Sequence, residues 1–341
     1  MIKTAIIGLG KMGISHCSIV NAQPDVCLVA VCDASGFVLS AVKKYTKFEC
    51  YKDYKKMVDE CNLDCVIIAT PTKFHAEMIA YALNRNLHVY VEKPFCLTLH
   101  QGQEMLDLVT KKQVVNQVGY HNRFIGTFQK MKELVENGVI GDVYYFRGEA
   151  YGPVVLKPKG GTWRANHSEG GGCLYDYTSH VVNLVDFIIG TPDYVKSTTL
   201  PKIYSKGVED AVYSTLCFNN GLSGHLSVNW SDESYRKMST QISAYGSKGK
   251  IISDALECKI FMREENRKFG LEKGWNMRYI TDTTQPVGFY LRGEEYSGQI
   301  EYFFSCIRNN KLDNINSFAS AFKTDVVLDL LQKDAQQREV S

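Results

Sequence analysis

The 341-residue sequence has no apolar run long enough to span a bilayer, no C-x-x-C pair, no internal repeat and no low-complexity tract. A membrane helix needs about 20 consecutive apolar residues, so a transmembrane protein is not expected. Structural zinc sites take their thiolates in close pairs, and without such pairs no metal site is predicted. An excess of charge is missing too: the formal net charge of +2 is too small for the basic field that recruits nucleic acid. Met1-Ile2-Lys3-Thr4 runs straight into an apolar strand without the layout of a secretory signal, which predicts a cytoplasmic protein.

The eleven cysteines do not form a disulfide framework. Cys27, Cys32, Cys65 and Cys217 sit inside apolar runs, where free thiols behave as small buried hydrophobes. An odd count in a chain this long suits a reducing compartment. Hydrophobic residues make up 45% of the chain and charged residues 22%, enough for a sizeable core, and the length predicts two domains.

The first part alternates strand-sized apolar runs (Ala5–Gly8, Cys27–Cys32, Cys65–Ala69, Leu87–Val91, Val114–Val118) with amphipathic helical stretches. Continuous apolar strands separated by helices predict a parallel sheet covered on both faces. Beyond Gly119–Arg123 the texture changes. A helix near 126–137, a strand near 142–151 and a helix opening at Gly170–Gly172 are followed by runs with a period of two. Leu222, Gly224, Leu226, Val228 and Trp230 alternate with polar residues after an Asn220-Gly221 turn, a strong hairpin signal. Two helical stretches near 295–309 and 317–337 close the chain. The expected fold is therefore α/β: an N-terminal Rossmann domain with a parallel sheet over residues 1–122, then an α+β domain with a largely antiparallel open sheet over residues 123–341.

Gly8-Leu9-Gly10-Lys11-Met12-Gly13 is G-x-G-x-x-G between the first strand and the first helix. Gly8 permits the tight turn, Gly10 lets a pyrophosphate approach the backbone, and Gly13 lets helix and strand pack closely. The helix N-terminus, with Lys11 and Met12, offers free N–H groups to the anion. Asp33 ends the second strand twenty residues after Gly13. A carboxylate there accepts hydrogen bonds from ribose hydroxyls and repels a 2′-phosphate, which favours NAD over NADP; an Asp capping the next helix reads the same way.

Glu92-Lys93-Pro94 follows the fifth strand, whose carboxyl end faces the cofactor crevice in a doubly wound sheet. A lysine there can stabilise a developing oxyanion, although a charged pair at a strand end needs no function. Asp176 and His180 are four apart on one predicted helix and project from one face. A histidine so placed can take an alcohol proton as hydride leaves. Helix packing alone also accommodates such a pair.

Taken together, Gly8–Gly13, Asp33, Ala69-Thr70-Pro71 with His75, Glu92-Lys93-Pro94 and Gly171-Gly172-x-x-x-Asp176-x-x-x-His180 resemble the glucose–fructose oxidoreductase/inositol dehydrogenase-type (Gfo/Idh/MocA) oxidoreductase family. The resemblance covers nearly the whole chain. It implies a catalytic group of Lys93, Asp176 and His180, with a cis peptide before Pro94. It implies that Thr70, Pro71, His75, Glu92 and the Trp163-Arg164 segment line the NAD site. Asn122 and Arg123, in the segment leading out of the first domain, join Lys93, Asp176 and His180 as substrate residues, although the proline often found after this segment is absent.

The activity so implied is an NAD-dependent dehydrogenase acting on a secondary alcohol or ketone of a sugar, sugar derivative or cyclitol. The basic residues Lys157, Lys159 and Arg164, with Arg236 and Lys237, extend the substrate class to phosphorylated or nucleotide-linked sugars. Two rival readings stand beside it: a redox-neutral NAD-dependent glycosidase of the same family, and a non-catalytic NAD-binding regulatory protein. A small-molecule substrate is expected, with no nucleic-acid or membrane partner. The open sheet predicts a homodimer or homotetramer, with Trp230 as an anchor.

Overall fold

Strand pairing in the computed structural model, which describes residues 1–154 and 163–340, produces one wholly parallel sheet and one mixed sheet. The chain divides into two compact units, Met1–His121 with Pro286–Phe322, and Asn122–Gln285 with Lys323–Ser341.

The first unit alternates β1 (Ile2–Ile7), α1 (Lys11–Asn21), β2 (Val26–Cys32), α2 (Gly36–Tyr45), β3 (Glu49–Tyr51), α3 (Tyr54–Glu60), β4 (Cys65–Ile68), α4 (His75–Asn84), β5 (His88–Val91), α5 (Leu99–Lys112) and β6 (Asn116–Val118). The six strands run parallel in the order β3-β2-β1-β4-β5-β6. Ala5, Ile6, Ile7 and all four residues of β4 are buried, because helices cover both faces. The order reverses between β1 and β4, and the carboxyl ends of the strands there are where such sheets bind ligands. The three-residue edge strand β3 is an element that no apolar run announces.

The second unit contains α6 (Gly126–Glu136), β7 (Val143–Tyr151), α7 (Ser179–Ile188), β8 (Tyr194–Thr199), β9 (Ala211–Cys217), β10 (Ser223–Asn229), β11 (Ser239–Gly246), β12 (Gly249–Asp254), β13 (Glu257–Met262), β14 (Gly274–Tyr279) and the short α8 (Ile280–Thr283). Its eight strands lie in the order β14-β13-β12-β11-β7-β10-β9-β8. All neighbours are antiparallel except β7 and β10. The β9–β10 hairpin turns at Asn220-Gly221, as the alternation predicts. One face packs on α6 and α7. Tyr144, Tyr213, Phe261, Trp275 and Tyr279 are exposed.

Two expectations are corrected here. Trp230 is not an exposed anchor: it is fully buried and donates from Nε1 to Asp210 Oδ1 at 2.9 Å. It lies on the inward side of the alternation with Leu226 and Val228, where a large apolar ring gains most from burial. The chain after residue 285 does not remain with the second unit. In α9 (Glu294–Arg308), Ile300, Phe303, Phe304 and Cys306 join the buried cluster of Ile6, Ile19, Val20 and Tyr90. Asn316 O then accepts from Val118 N, and Asn314 donates to Asn116 O, so this segment covers the β6 edge. The closing helix α10 (Phe318–Val340) leads back into the second unit. The eleven cysteines are all unbonded, and among the described residues no helix is long and apolar enough to cross a membrane.

Candidate functional site

The glycine turn is shaped by contacts that admit no side chain. Gly8 has φ +92, and a Cβ there would lie 2.7 Å from Ala69 O; a Cβ on Gly13 would lie 1.8 Å from Gly8 O. Gly10 differs: nothing stands within 4 Å of its Cβ position, so the turn is open on that side. No side chain caps α1 at Gly10, leaving the first-turn N–H groups at Lys11, Met12 and Gly13 directed to an incoming anion. At the end of β2, Asp33 accepts from Leu9 N and Ser35 N, both at 2.7 Å, which fixes its carboxylate beside the turn. An open, uncapped anion cradle beside an oriented carboxylate fits an adenine dinucleotide.

At the carboxyl end of β5 the Lys93–Pro94 peptide is cis. Glu92 Oε1 lies 2.7 Å from Nε2 of His16, a fully buried residue of α1, while Glu92 Oε2 accepts from Lys93 N at 3.3 Å. Burial acts to raise the Glu92 pKa. The hydrogen bond from His16, with the Lys93 charge beside it, outweighs burial and holds the carboxyl below its usual range. His121 stacks on Tyr296 of α9 at 4.4 Å, and burial pulls its pKa down to about 4, so the ring is neutral at pH 7. His75 is fully buried, with Nδ1 at 3.0 Å from Pro94 O and Nε2 at 3.0 Å from Thr70 O. It braces the loops after β4 and β5, and its ring nitrogens are turned to backbone rather than to a ligand. Thr70 is half-buried and Pro71 exposed on the same turn.

In the second unit the expected helix begins with a π-turn, Leu174–Thr178, before α7 proper. Such turns recur at functional sites because they re-aim side chains. Asp176 and His180 are both buried on this element. Arg164 donates from Nε to Asp176 Oδ2 at 2.9 Å, which places this arginine with the proposed catalytic carboxylate. Gly172, at φ +103, lies against the buried Glu209, whose Oε1 accepts from Leu174 N at 2.8 Å. Burial raises the Glu209 pKa.

Arg123 has a structural occupation. It is 3% exposed, donates to Asn183 Oδ1 at 2.7 Å and pairs with Asp186 at 2.8 Å, and so links the segment before α6 to α7. Asn122 is likewise buried. Lys157, Lys159 and the Trp163 side chain lie outside the described residues, while Arg236 and Lys237 are exposed. Sequence reasoning missed His16, His121, Glu209 and Tyr296. Their only signal is a polar group beside apolar neighbours, on a helix for His16 and Tyr296 and in a loop or turn for Glu209 and His121, and each finds its partner far along the chain.

Both units have counterparts among known proteins. Residues 2–120 match the family model described as an oxidoreductase family with an NAD-binding Rossmann fold, and residues 128–252 match the C-terminal domain model of the same family. The chain is 31% identical over 241 residues to D-glucoside 3-dehydrogenase of Escherichia coli K12, covering 64% of this chain and 68% of that protein. It is 28% identical over 261 residues to myo-inositol 2-dehydrogenase of Thermotoga maritima, covering 74% and 75%. Levoglucosan dehydrogenase in complex with NADH superimposes with a TM-score of 0.88 at 21% identity, over 98% of this chain and 97% of that one, a likeness of fold. Matched in both units, the chain belongs to the Gfo/Idh/MocA oxidoreductase family, whose N-terminal domain is an NAD-binding Rossmann fold.

Proposed function

We propose that this protein is an NAD-dependent dehydrogenase that oxidises or reduces a secondary alcohol or ketone on a sugar, sugar derivative or cyclitol. The observation that carries the reading is Lys93 at the carboxyl end of β5, with the ionised Glu92 beside it and the open glycine turn in the same unit. Gly8, Gly10, Gly13 and the first turn of α1 hold the pyrophosphate, and Asp33 holds the adenosine ribose and disfavours NADP. NAD, when bound, supplies the carbon that exchanges hydride with the substrate.

The chain's own residues handle the proton. His180 takes it from the hydroxyl, Lys93 steadies the developing oxyanion, and Asp176 orients the substrate. The names of the two curated relatives, a glucoside 3- and an inositol 2-dehydrogenase, support a ring hydroxyl as the target. A neutral polyol fits better than a phosphorylated one, because the Arg164 guanidinium is already matched by Asp176. The exposed aromatic residues of the second sheet support assembly into a homodimer or homotetramer, and the unbonded cysteines support a reducing, cytoplasmic location.

The test is turnover on a panel of free sugars, glycosides and cyclitols, with Lys93→Ala and His180→Ala measured beside the wild type. NADH should accumulate with substrate oxidation, and both variants should lose activity while NAD still quenches protein fluorescence. Release of a leaving group without NADH would replace this reading with the redox-neutral glycosidase. Full activity in both variants would end the residue assignment.

A further inference from the structure

The mechanism above makes no use of His16, although it is fully buried in α1 and lies 2.7 Å from Glu92. Its ring meets Tyr90 edge-on at 5.3 Å, so it is held on two sides. Nδ1 is buried and has no hydrogen-bond partner among the described residues. A buried N–H without an acceptor is costly, so the ring proton belongs on Nε2, where it is donated to Glu92 Oε1. The other oxygen, Oε2, accepts the backbone N–H of Lys93 at 3.3 Å. One carboxylate thus joins the helix that starts at the glycine turn to the backbone of the proposed catalytic lysine.

We propose that His16 is a positioning residue, acting through Glu92 to fix Lys93 relative to the dinucleotide turn. The proposal rests on the assignment of Lys93 to catalysis. Through the carboxylate, the helix that receives the pyrophosphate and the strand end that carries the lysine are set in one geometry before a substrate arrives. A misplacement of the lysine by about 1 Å is enough to lower turnover by about 100-fold.

A pH signature follows. Glu92 is faced by His16 from α1, by His75 from α4, by Tyr90 and Lys93 on and just after β5, by His121 after β6, and by Tyr296 of α9, which has Arg292 over its ring. Burial raises its pKa, and His16 is the first of the groups that lower it. Without His16 the carboxyl titrates higher, so activity is lost on the acid side at higher pH than in the wild type.

The experiment compares His16→Leu, which removes the donor, with His16→Gln, which retains a terminal amide N–H. It reads kcat and KM against pH, NAD affinity of the cofactor-free protein by fluorescence titration, and thermal unfolding. His16→Leu should lower kcat by about 10–100-fold with KM nearly unchanged, move the acid limb upward and keep its NAD affinity, while His16→Gln recovers most of the loss. Should His16→Leu not fold, His16→Asn, too short to reach Glu92, takes its place.

A donor-less variant with the wild-type kcat and acid limb overturns the proposal. So does a loss that saturating NAD fully restores, because His16 would then serve cofactor affinity alone. Lys93→Ala measured in parallel separates the two levels. An inactive Lys93→Ala beside an unaffected His16→Leu rejects only the positioning role, whereas an active Lys93→Ala rejects the assignment beneath it.

Discussion

In the first unit the carboxylate next to Lys93 is held by His16, a side chain with no exposure to solvent; in the second, Asp176 is held by Arg164, whose side chain is 43% exposed. A pair of the first kind cannot trade its partner for water without opening the core, and so it sets geometry permanently. One of the second kind can release its carboxylate to a ligand at little expense, since half-exposed ion pairs contribute little net energy. The sheets differ in the same direction. The parallel sheet is buried on both faces, whereas the mixed sheet packs helices on one face and carries exposed aromatic residues. The NAD-binding Rossmann fold is thus the unit with the buried pair, and under the proposed function the substrate residues Asp176 and His180 fall in the unit with the more exposed one.

The largest effect that bears on this contrast is expected at the chemistry itself. Lys93→Ala and His180→Ala should each lower kcat by about 10²–10⁴-fold in steady-state assays, with NAD affinity retained. Loss of NAD affinity in His180→Ala would break the division of labour between the units. Next, Asp33→Ser removes the charge that opposes a 2′-phosphate, and the ratio of kcat/KM for NAD over NADP should fall by about tenfold or more, the equivalent of about 1.4 kcal/mol.

A rigid feature of the second unit gives a smaller effect. Asp210 accepts from Ile203, Tyr204 and Ser205 backbone N–H groups and from Trp230 Nε1. Burial acts to raise its pKa, but bonds from Ser205 and Trp230 dominate and hold it below the usual carboxylate range. A depressed carboxyl contributes stability that is present above its unfolded value of about 3.9 and is lost as pH falls through the folded value. Trp230→Phe should therefore cost about 1–3 kcal/mol at neutral pH in chemical denaturation, and the deficit should shrink below about pH 4. The smallest change in stability is expected for Arg164→Gln, about 0–1 kcal/mol, with a raised substrate KM. A large stability loss in that variant would erase the contrast between the two carboxylates.

Much of this architecture is legible in the residues because it depends on local pattern. Glycines at Gly8, Gly10 and Gly13 mark the turn, unbroken apolar runs mark β1, β4 and β5, and alternation around Asn220-Gly221 marks the β9–β10 hairpin. What escapes notice depends on distant partners. His16 and Glu92 are separated by 76 positions, and Arg123 and Asp186 by 63, so neither pairing leaves a trace in a local window. Trp230 reads equally well as an anchor or as core until its neighbours on the sheet are known. The Asp176–His180 spacing survives because a π-turn still leaves residues four apart near one face.

The return of Pro286–Phe322 to the first unit has a practical meaning for anyone who wishes to reuse its parts. The second unit's main segment is inserted into the first, not appended to it. A fragment ending at residue 122 would lack α9 and leave Ile6, Ile19 and Tyr90 without the phenylalanines that complete their core. A transplantable cofactor module therefore has to carry both pieces, residues 1–121 and 286–322, spliced across the insertion. For the same reason, a second unit moved between relatives has to carry its internal segment, residues 122–285, together with the closing segment from residue 323 onward.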